Sequence, residues 1–283
     1  MANQTLGRRQ LADRLRRLRL GSGYSIDDVA EKLMCHPSKI SRLETGRRAA
    51  IPRDVRDLCE IYGVADQRLV SELIELAREA RRPGYRHEYD LGDETLYPYN
   101  DYEEQAATIT DFQTCYLPAL LQTEEYARAL IRGIYPKMEE KVLESRVALR
   151  MRRQQLLTKE GAPRFNALFH ESVLHHRIGG PQVMARQLDR IVQTAALPSV
   201  SVRIVPFTAG AYMGLANTFV LLELPEMSPA RIVYLEGLTK ADYLERPNEI
   251  TIYAEAIRNI TENALAPDDS VQLINDLKKA IYS

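Results

Sequence analysis

Nowhere in the 283 residues does an apolar run approach the roughly 18 residues that a bilayer-spanning helix requires. The opening stretch, MANQTLGRRQ, lacks the apolar core of a secretory leader. A membrane partner is therefore not expected, and the chain reads as cytoplasmic. Cysteine is scarce. Cys35, Cys59 and Cys115 are widely separated, odd in number and without a CxxC pair, so they read as reduced thiols rather than a disulfide frame or a zinc site. No GxGxxG or Walker pattern surrounds Gly179–Gly180, which reads as a turn. His170, Glu171, His175 and His176 lie close together. HESVLH is one residue too long for HExxH, the spacing that sets two histidines one helical turn apart. We weigh a polar cluster above a metal site. No convergent set of nucleophile, base and metal ligands emerges. The expectation is a non-enzyme with neither cofactor nor metal.

Net charge is also small, at −1, but it hides an asymmetry. Residues 1–82 hold 17 Lys+Arg against 12 Asp+Glu, and the remainder holds 21 against 27. A basic head on an acidic body points the head at a polyanion. With 45% hydrophobic and 27% charged residues, the chain is expected to fold. Its length suggests two domains.

The head reads as all-helical. In residues 6–20, Leu11, Leu15 and Leu18 recur on one face, while arginines fill much of the rest, and Gly21 and Gly23 end the pattern. Ser25 is a good N-cap for a short helix to about Leu33, with Asp27 and Asp28 in its first turn. Met34, Cys35 and His36 make a turn. Pro37 suits the start of a helix that runs through Glu44 and stops at Gly46. Two more helices are expected over 53–62 and 66–81. Residues 83–101, dense in Pro, Gly and Tyr, read as a linker between a domain at 1–82 and a second at 102–283.

In the second domain, helices are expected at Glu103–Gln113, Thr123–Gly133, Glu139–Thr158, Pro181–Ala196, Glu249–Leu265 and Ser270–Ile281. Strands are expected at Phe165–Phe169, Val200–Pro206, Thr218–Leu224 and Arg231–Glu236, all rich in β-branched or aromatic residues. The fold class is α+β. Arginines 146, 150, 152 and 153 read as a solvated helix face or as partners of Glu139, Glu140 and Glu144. Of fifteen tyrosines, five fall between 85 and 102, and they suit core and interface packing better than a ligand pocket.

Ser25 to Thr45 form a helix, a turn and a second helix. Such a unit lays one helix in the roughly 12 Å wide major groove while the other braces it. Val29, Ala30, Leu33, Ile40 and Leu43 sit where the two helices must pack. That leaves Ser38, Lys39, Ser41 and Arg42 on or near the outer face, with Arg47 and Arg48 just beyond, placed for phosphates. Double-stranded DNA is the expected partner, and a homodimer is expected because one short helix reads few base pairs.

The strings VAEKL, SKISRLE and TGRR within SIDDVAEKLMCHPSKISRLETGRR resemble the phage-repressor, or XRE-type, helix-turn-helix. The resemblance implies a five-helix lambda-repressor-like head, an ion pair between Arg19 and Glu44, and base contacts from Pro37, Ser38 and Arg42. Two positions depart from the family: Ile26 stands where a polar residue, often glutamine, opens the first helix of the motif, and Met34 stands where the turn glycine belongs. Farther on, LPALLQTEEYARALI, RMRRQQLL, FHESVLHHRIGG, VMARQLDRI, VSVRIVPFTAGAY, FVLLELPE and IVYLEGL resemble the domain of unknown function that follows this motif in many actinobacterial regulators. Ala119 replaces a usual glycine there, and the tryptophans common in the linker are missing. This second resemblance implies an antitoxin-like transcriptional regulator with a small protein partner encoded nearby. A small-molecule effector, partner binding and dimerisation all stay open as tasks of the second domain, as does an alternative in which sequestering that partner is the main role and DNA binding is secondary.

Overall fold

The computed structural model describes residues 6–79, 96–224, 230–237 and 241–281. The described residues divide into two compact units, 6–79 and 96–281. The part of the expected linker from 83 to 95 lies outside them. No helix among the described residues is long and apolar enough to cross a membrane.

The first unit is five helices: α1 Leu6–Ser22, α2 Ile26–Lys32, α3 Pro37–Glu44, α4 Pro52–Ile61 and α5 Gln67–Glu79. Each boundary has a local cause. Ser25 caps α2 in a capping box, its Oγ accepting from the Asp28 N–H at 3.1 Å while Asp28 accepts from the Ser25 N–H at 2.7 Å. Pro37 occupies the first turn of α3. Gly46, at φ +67°, takes the left-handed conformation that ends α3. Leu11, Leu15, Val29, Ala30, Ile40, Leu43, Val55, Leu58 and Leu73 are buried together. A fully buried side chain of this size contributes about 1.5–3 kcal/mol, so this core is what orients the short α2 and α3.

The second unit is built on one six-stranded sheet, ordered β3-β2-β1-β4-β5-β6. Its elements are α6 Leu96–Gln105, β1 Thr108–Gln113, α7 Glu124–Ile134, α8 Glu140–Arg153, β2 Arg164–His170, α9 Pro181–Ala195, β3 Val200–Val205, β4 Phe219–Glu223, β5 Arg231–Glu236, β6 Ala241–Leu244, α10 Pro247–Asn263 and α11 Pro267–Ile281. The β1, β2 and β3 strands run parallel, with helices between them in sequence. The β1–β4, β4–β5 and β5–β6 pairs are antiparallel. Phe112, Phe219, Leu221 and Val233 pack with Ile250, Ala256 and Ile260 of α10 on one face. Strand side chains alternate, so Asp111 and Gln113 point to the other face.

The chain is α+β, as expected, with three local corrections. The helix expected over Glu103–Gln113 is divided: α6 stops at Gln105, and Thr108–Gln113 is the strand β1. Thr108, Ile109 and Thr110 are β-branched, and strands on both sides satisfy their backbone, which overrides the helix-forming EEQAA stretch before them. The short edge strand β6 was not anticipated. In addition, α6 begins at Leu96, inside the stretch read as a linker.

Candidate nucleic-acid interface

The second helix of the motif is held by its inner face and its ends. Ile40 and Leu43 are buried in the helical core. Glu44, also buried, accepts two hydrogen bonds from Arg19 of α1: Nε to Oε1 at 2.7 Å and Nη2 to Oε2 at 2.9 Å. The third contact of Arg19 runs from Nη1 to the Tyr24 carbonyl at 2.9 Å, just before α2. One guanidinium thus ties α1, the start of α2 and the end of α3. The carboxylate raises the Arg19 pKa despite burial, which opposes it. The ion pair implied by the family resemblance is present.

At the other end, the exposed His36 side chain caps α3. Its Nδ1 accepts from the Ser38 N–H at 3.2 Å and lies 2.9 Å from Ser38 Oγ. Histidine is an unusual cap, and sequence reasoning placed His36 only in the turn. Met34, in the same turn, has φ +48° and is 94% exposed. The position where the family favours glycine does demand left-handed backbone, and methionine adopts it with its side chain in solvent.

The outer face carries most of the expected residues. Arg42 is exposed and folds back on its own helix, Nε donating to the Ser38 carbonyl at 3.0 Å and Nη2 to Ser38 Oγ at 3.2 Å. These are bonds that a guanidinium exchanges readily for a base edge or a phosphate. Pro37, Ser38 and Ser41 are partly exposed on α3. Arg47 and Arg48 are exposed just past it, the Arg48 N–H donating to the Arg42 carbonyl at 3.0 Å and so fixing the loop against the helix end. Among the described residues, none of these three arginines has a carboxylate partner.

Lys39 has an acidic partner within the head. Its ammonium donates to Asp54 Oδ1 of α4 at 2.8 Å. Asp54 is buried and also accepts, at 3.4 Å, from the Ile51 N–H that opens α4. Lys39 therefore braces α3 against α4. Its partner lies in a different helix, which helical spacing within α3 does not reveal.

In the second unit, the histidine cluster is taken up locally. HESVLH forms a 3-10 turn after β2, with His170 Nδ1 accepting from the Ser172 N–H at 3.2 Å. His176 Nδ1 lies 2.8 Å from the Cys115 carbonyl, and Glu171 accepts from the Phe207 N–H at 2.8 Å. Among the described residues, no group of three His, Cys, Asp or Glu side chains is arranged to hold a metal. Of the arginines of α8, Arg152 is exposed, as the solvated reading has it, while Arg150 and Arg153 depart from that reading. Glu144 and Glu140 pair with Arg128 and Arg132 of α7 instead. Arg153 is bound bidentately to the buried Glu103 of α6, at 2.6 and 2.7 Å, and Arg150 turns inward to Gln122 at 2.8 Å.

Residues 97–276 match the family model described as a domain of unknown function, DUF5753, and residues 10–73 match a helix-turn-helix domain. The chain belongs to the DUF5753 family. No curated protein and no solved structure matches it. Within this DUF5753 protein the helix-turn-helix model covers α2 and α3 together with their supporting helices, which makes the head that of a DNA-binding regulator.

Proposed function

We propose that this DUF5753 protein is a sequence-specific transcriptional regulator, not an enzyme, that binds a palindromic operator as a homodimer. In this reading α3 lies in the major groove. Arg42 hydrogen-bonds a base edge, with Pro37, Ser38 and Ser41 beside it, and Arg47 and Arg48 hold phosphates. Lys39 is reserved for Asp54. The observation that carries the reading is the two-sidedness of α3: its inner face is fixed by Ile40, Leu43 and the Arg19–Glu44 pair, while Arg42 on its outer face and Arg47 and Arg48 just past it have no carboxylate partner among the described residues.

Dimerisation follows from size. α3 has eight residues, and a helix of two turns reaches only a few base pairs. Two copies on adjacent half-sites supply the missing discrimination, with the second domain joining the protomers and sensing a ligand or protein partner. Arg47 and Arg48 of each protomer make four phosphate contacts per dimer. The logarithm of affinity should then fall with the logarithm of salt at a slope of about −4. The test is to select genomic fragments retained by the full chain and titrate one by fluorescence anisotropy across salt concentrations. A twofold-symmetric site and a steep slope are expected. Salt-independent binding, or equal retention of all fragments, refutes the proposal.

A further inference from the structure

In the second unit a cavity lies between the sheet face that carries Asp111 and Gln113 and the helices α6, α7 and α8. A water-sized sphere can centre itself throughout about 110 Å³ of it, which is room for one compact organic molecule. Its floor includes one row of the sheet, Asp111 beside Val220 beside Tyr234, set by the β1–β4–β5 register. Tyr99 and Tyr116 add aromatic wall, and the part-exposed Ile134 and exposed Glu236 belong to the rim. The tyrosines thus serve both packing and cavity: Tyr99 and Tyr234 meet with ring centroids 4.4 Å apart, tilted by 40°, and also line the space.

Two polar groups in this wall lack what such groups normally have. Arg150 is partly buried, and among the described residues its guanidinium donates one hydrogen bond, to Gln122 Oε1 at 2.8 Å. No carboxylate among the described residues lies within ion-pairing distance of it; the charges acting on it are Arg153 and Arg146 on the same helix stripe and, opposing them, the Glu236 carboxylate. Burial and those two cations push its pKa down. Gln113 is 7% exposed. Its Nε2 donates to Asp111 Oδ1 at 2.7 Å, while its Oε1 is buried and, among the described residues, accepts nothing. A part-buried cation with no carboxylate in ion-pairing distance and a buried acceptor with no donor, both judged among the described residues and both lining one cavity, ask for complements from another molecule.

We infer that this cavity binds a small organic monocarboxylate, with its carboxylate on Arg150 and a hydrogen-bond donor of the same molecule on Gln113 Oε1.

The charges at the wall favour a monoanion over a dianion. Arg153 is spent on Glu103, and Arg150 is opposed only at longer range, by Glu236 and by Asp111, whose carboxyl burial pushes up to about 7 so that near neutrality it is about half protonated. A phosphate monoester brings a second negative charge with no partner. The guanidinium fork also matches a carboxylate in bidentate geometry. That such a ligand modulates operator binding rests on the DNA-binding reading above. Binding itself does not, and it is measured without DNA.

The test is ligand-observed NMR and calorimetry on the full chain. The probes are benzoate, 4-hydroxybenzoate and mandelate, the amides of the same three acids, and inorganic phosphate. The carboxylates should bind one per chain, with their amides and phosphate weaker by about ten- to a hundredfold. Arg150→Gln should lose the carboxylates by the same factor while keeping a cooperative unfolding transition. Ile134→Trp, a change at the part-exposed rim that leaves Arg150 intact, should block entry of all three. Failure of every carboxylate to bind the unmodified chain overturns the inference. So do amides or phosphate binding as tightly as the carboxylates, or both variants binding like the unmodified chain.

Discussion

Replacing Glu44 with alanine should loosen the DNA-binding head from a position where α3 makes no outward contact. The side chains of Arg19 and Glu44 are 9% and 4% exposed, so salt and water screen them little. Removing the carboxylate leaves a buried guanidinium with only the Tyr24 carbonyl, and breaking one side of such a pair costs about 3–5 kcal/mol. A domain of roughly 75 residues holds about 4–11 kcal/mol in all. The variant should therefore stand close to unfolding, with opening populated about a hundred- to several-thousandfold more than in the unmodified chain. Amide hydrogen exchange on the full chain reads this directly. The N–H groups of Leu33 and Thr45, which close α2 and α3, should exchange faster by that factor, whereas the β1 and β2 amides should not change. The double variant Arg19→Met with Glu44→Leu, which exchanges both charges for apolar bulk, should recover much of the protection. If Glu44→Ala stays within about twofold of the unmodified chain, the ordinary scatter of such comparisons, the pair is not a clamp. If the double variant is worse than the single, the cost arises from packing and the electrostatic reasoning fails.

Arg42→Ala should weaken binding to the selected operator by about 1–3 kcal/mol and relax one base position, read by anisotropy against a set of single-base variants. Lys39→Ala should cost at least about 1 kcal/mol of stability through the stranded Asp54 while leaving the salt slope of DNA binding unchanged, so equilibrium denaturation and salt titration together check its assignment. Met34→Gly relieves a left-handed residue whose side chain touches mostly solvent, and should stabilise the head by about 0.5–1 kcal/mol in urea unfolding. Asp111 has a folded-state pKa of about 7, above its unfolded value of about 3.9, so the folded state holds a proton that the unfolded state has released. Its stabilising contribution is complete below about pH 4 and is lost as pH rises through about 7, amounting to about 4 kcal/mol across the window. Asp111→Asn should flatten that part of the stability–pH curve, followed by tyrosine fluorescence since the chain has no tryptophan.

The helix-turn-helix was legible because its determinants are local. Leucine spacing, the Ser25 cap, Pro37 at a helix start and Gly46 past a helix end all act within a turn or two of the residue concerned. β5 was read at its observed limits, Arg231–Glu236, since a run of β-branched and aromatic residues bounded by polar ones has one ready interpretation. Contacts across helices were not readable this way. The Arg19–Glu44 pair spans 25 residues and came only through the family resemblance, and Lys39–Asp54, lacking such a precedent, did not come at all.

The second domain was misread where polar residues point inward. β1 carries Thr110, Asp111 and Gln113, all buried, and without apolar alternation the segment looked like a continuation of the helix before it. Arg146, Arg150 and Arg153 recur at helical spacing, which shows that they share a face but not which way it turns. Charge made solvent the default, yet Arg150 lines a cavity and Arg153 is clamped to a buried glutamate. The two misreadings meet at one place, because Asp111 and Gln113 form part of the floor under Arg150. Polar groups set against the hydrophobic pattern cost stability, and a protein that keeps several of them around one cavity has a use for the cavity that folding alone does not explain.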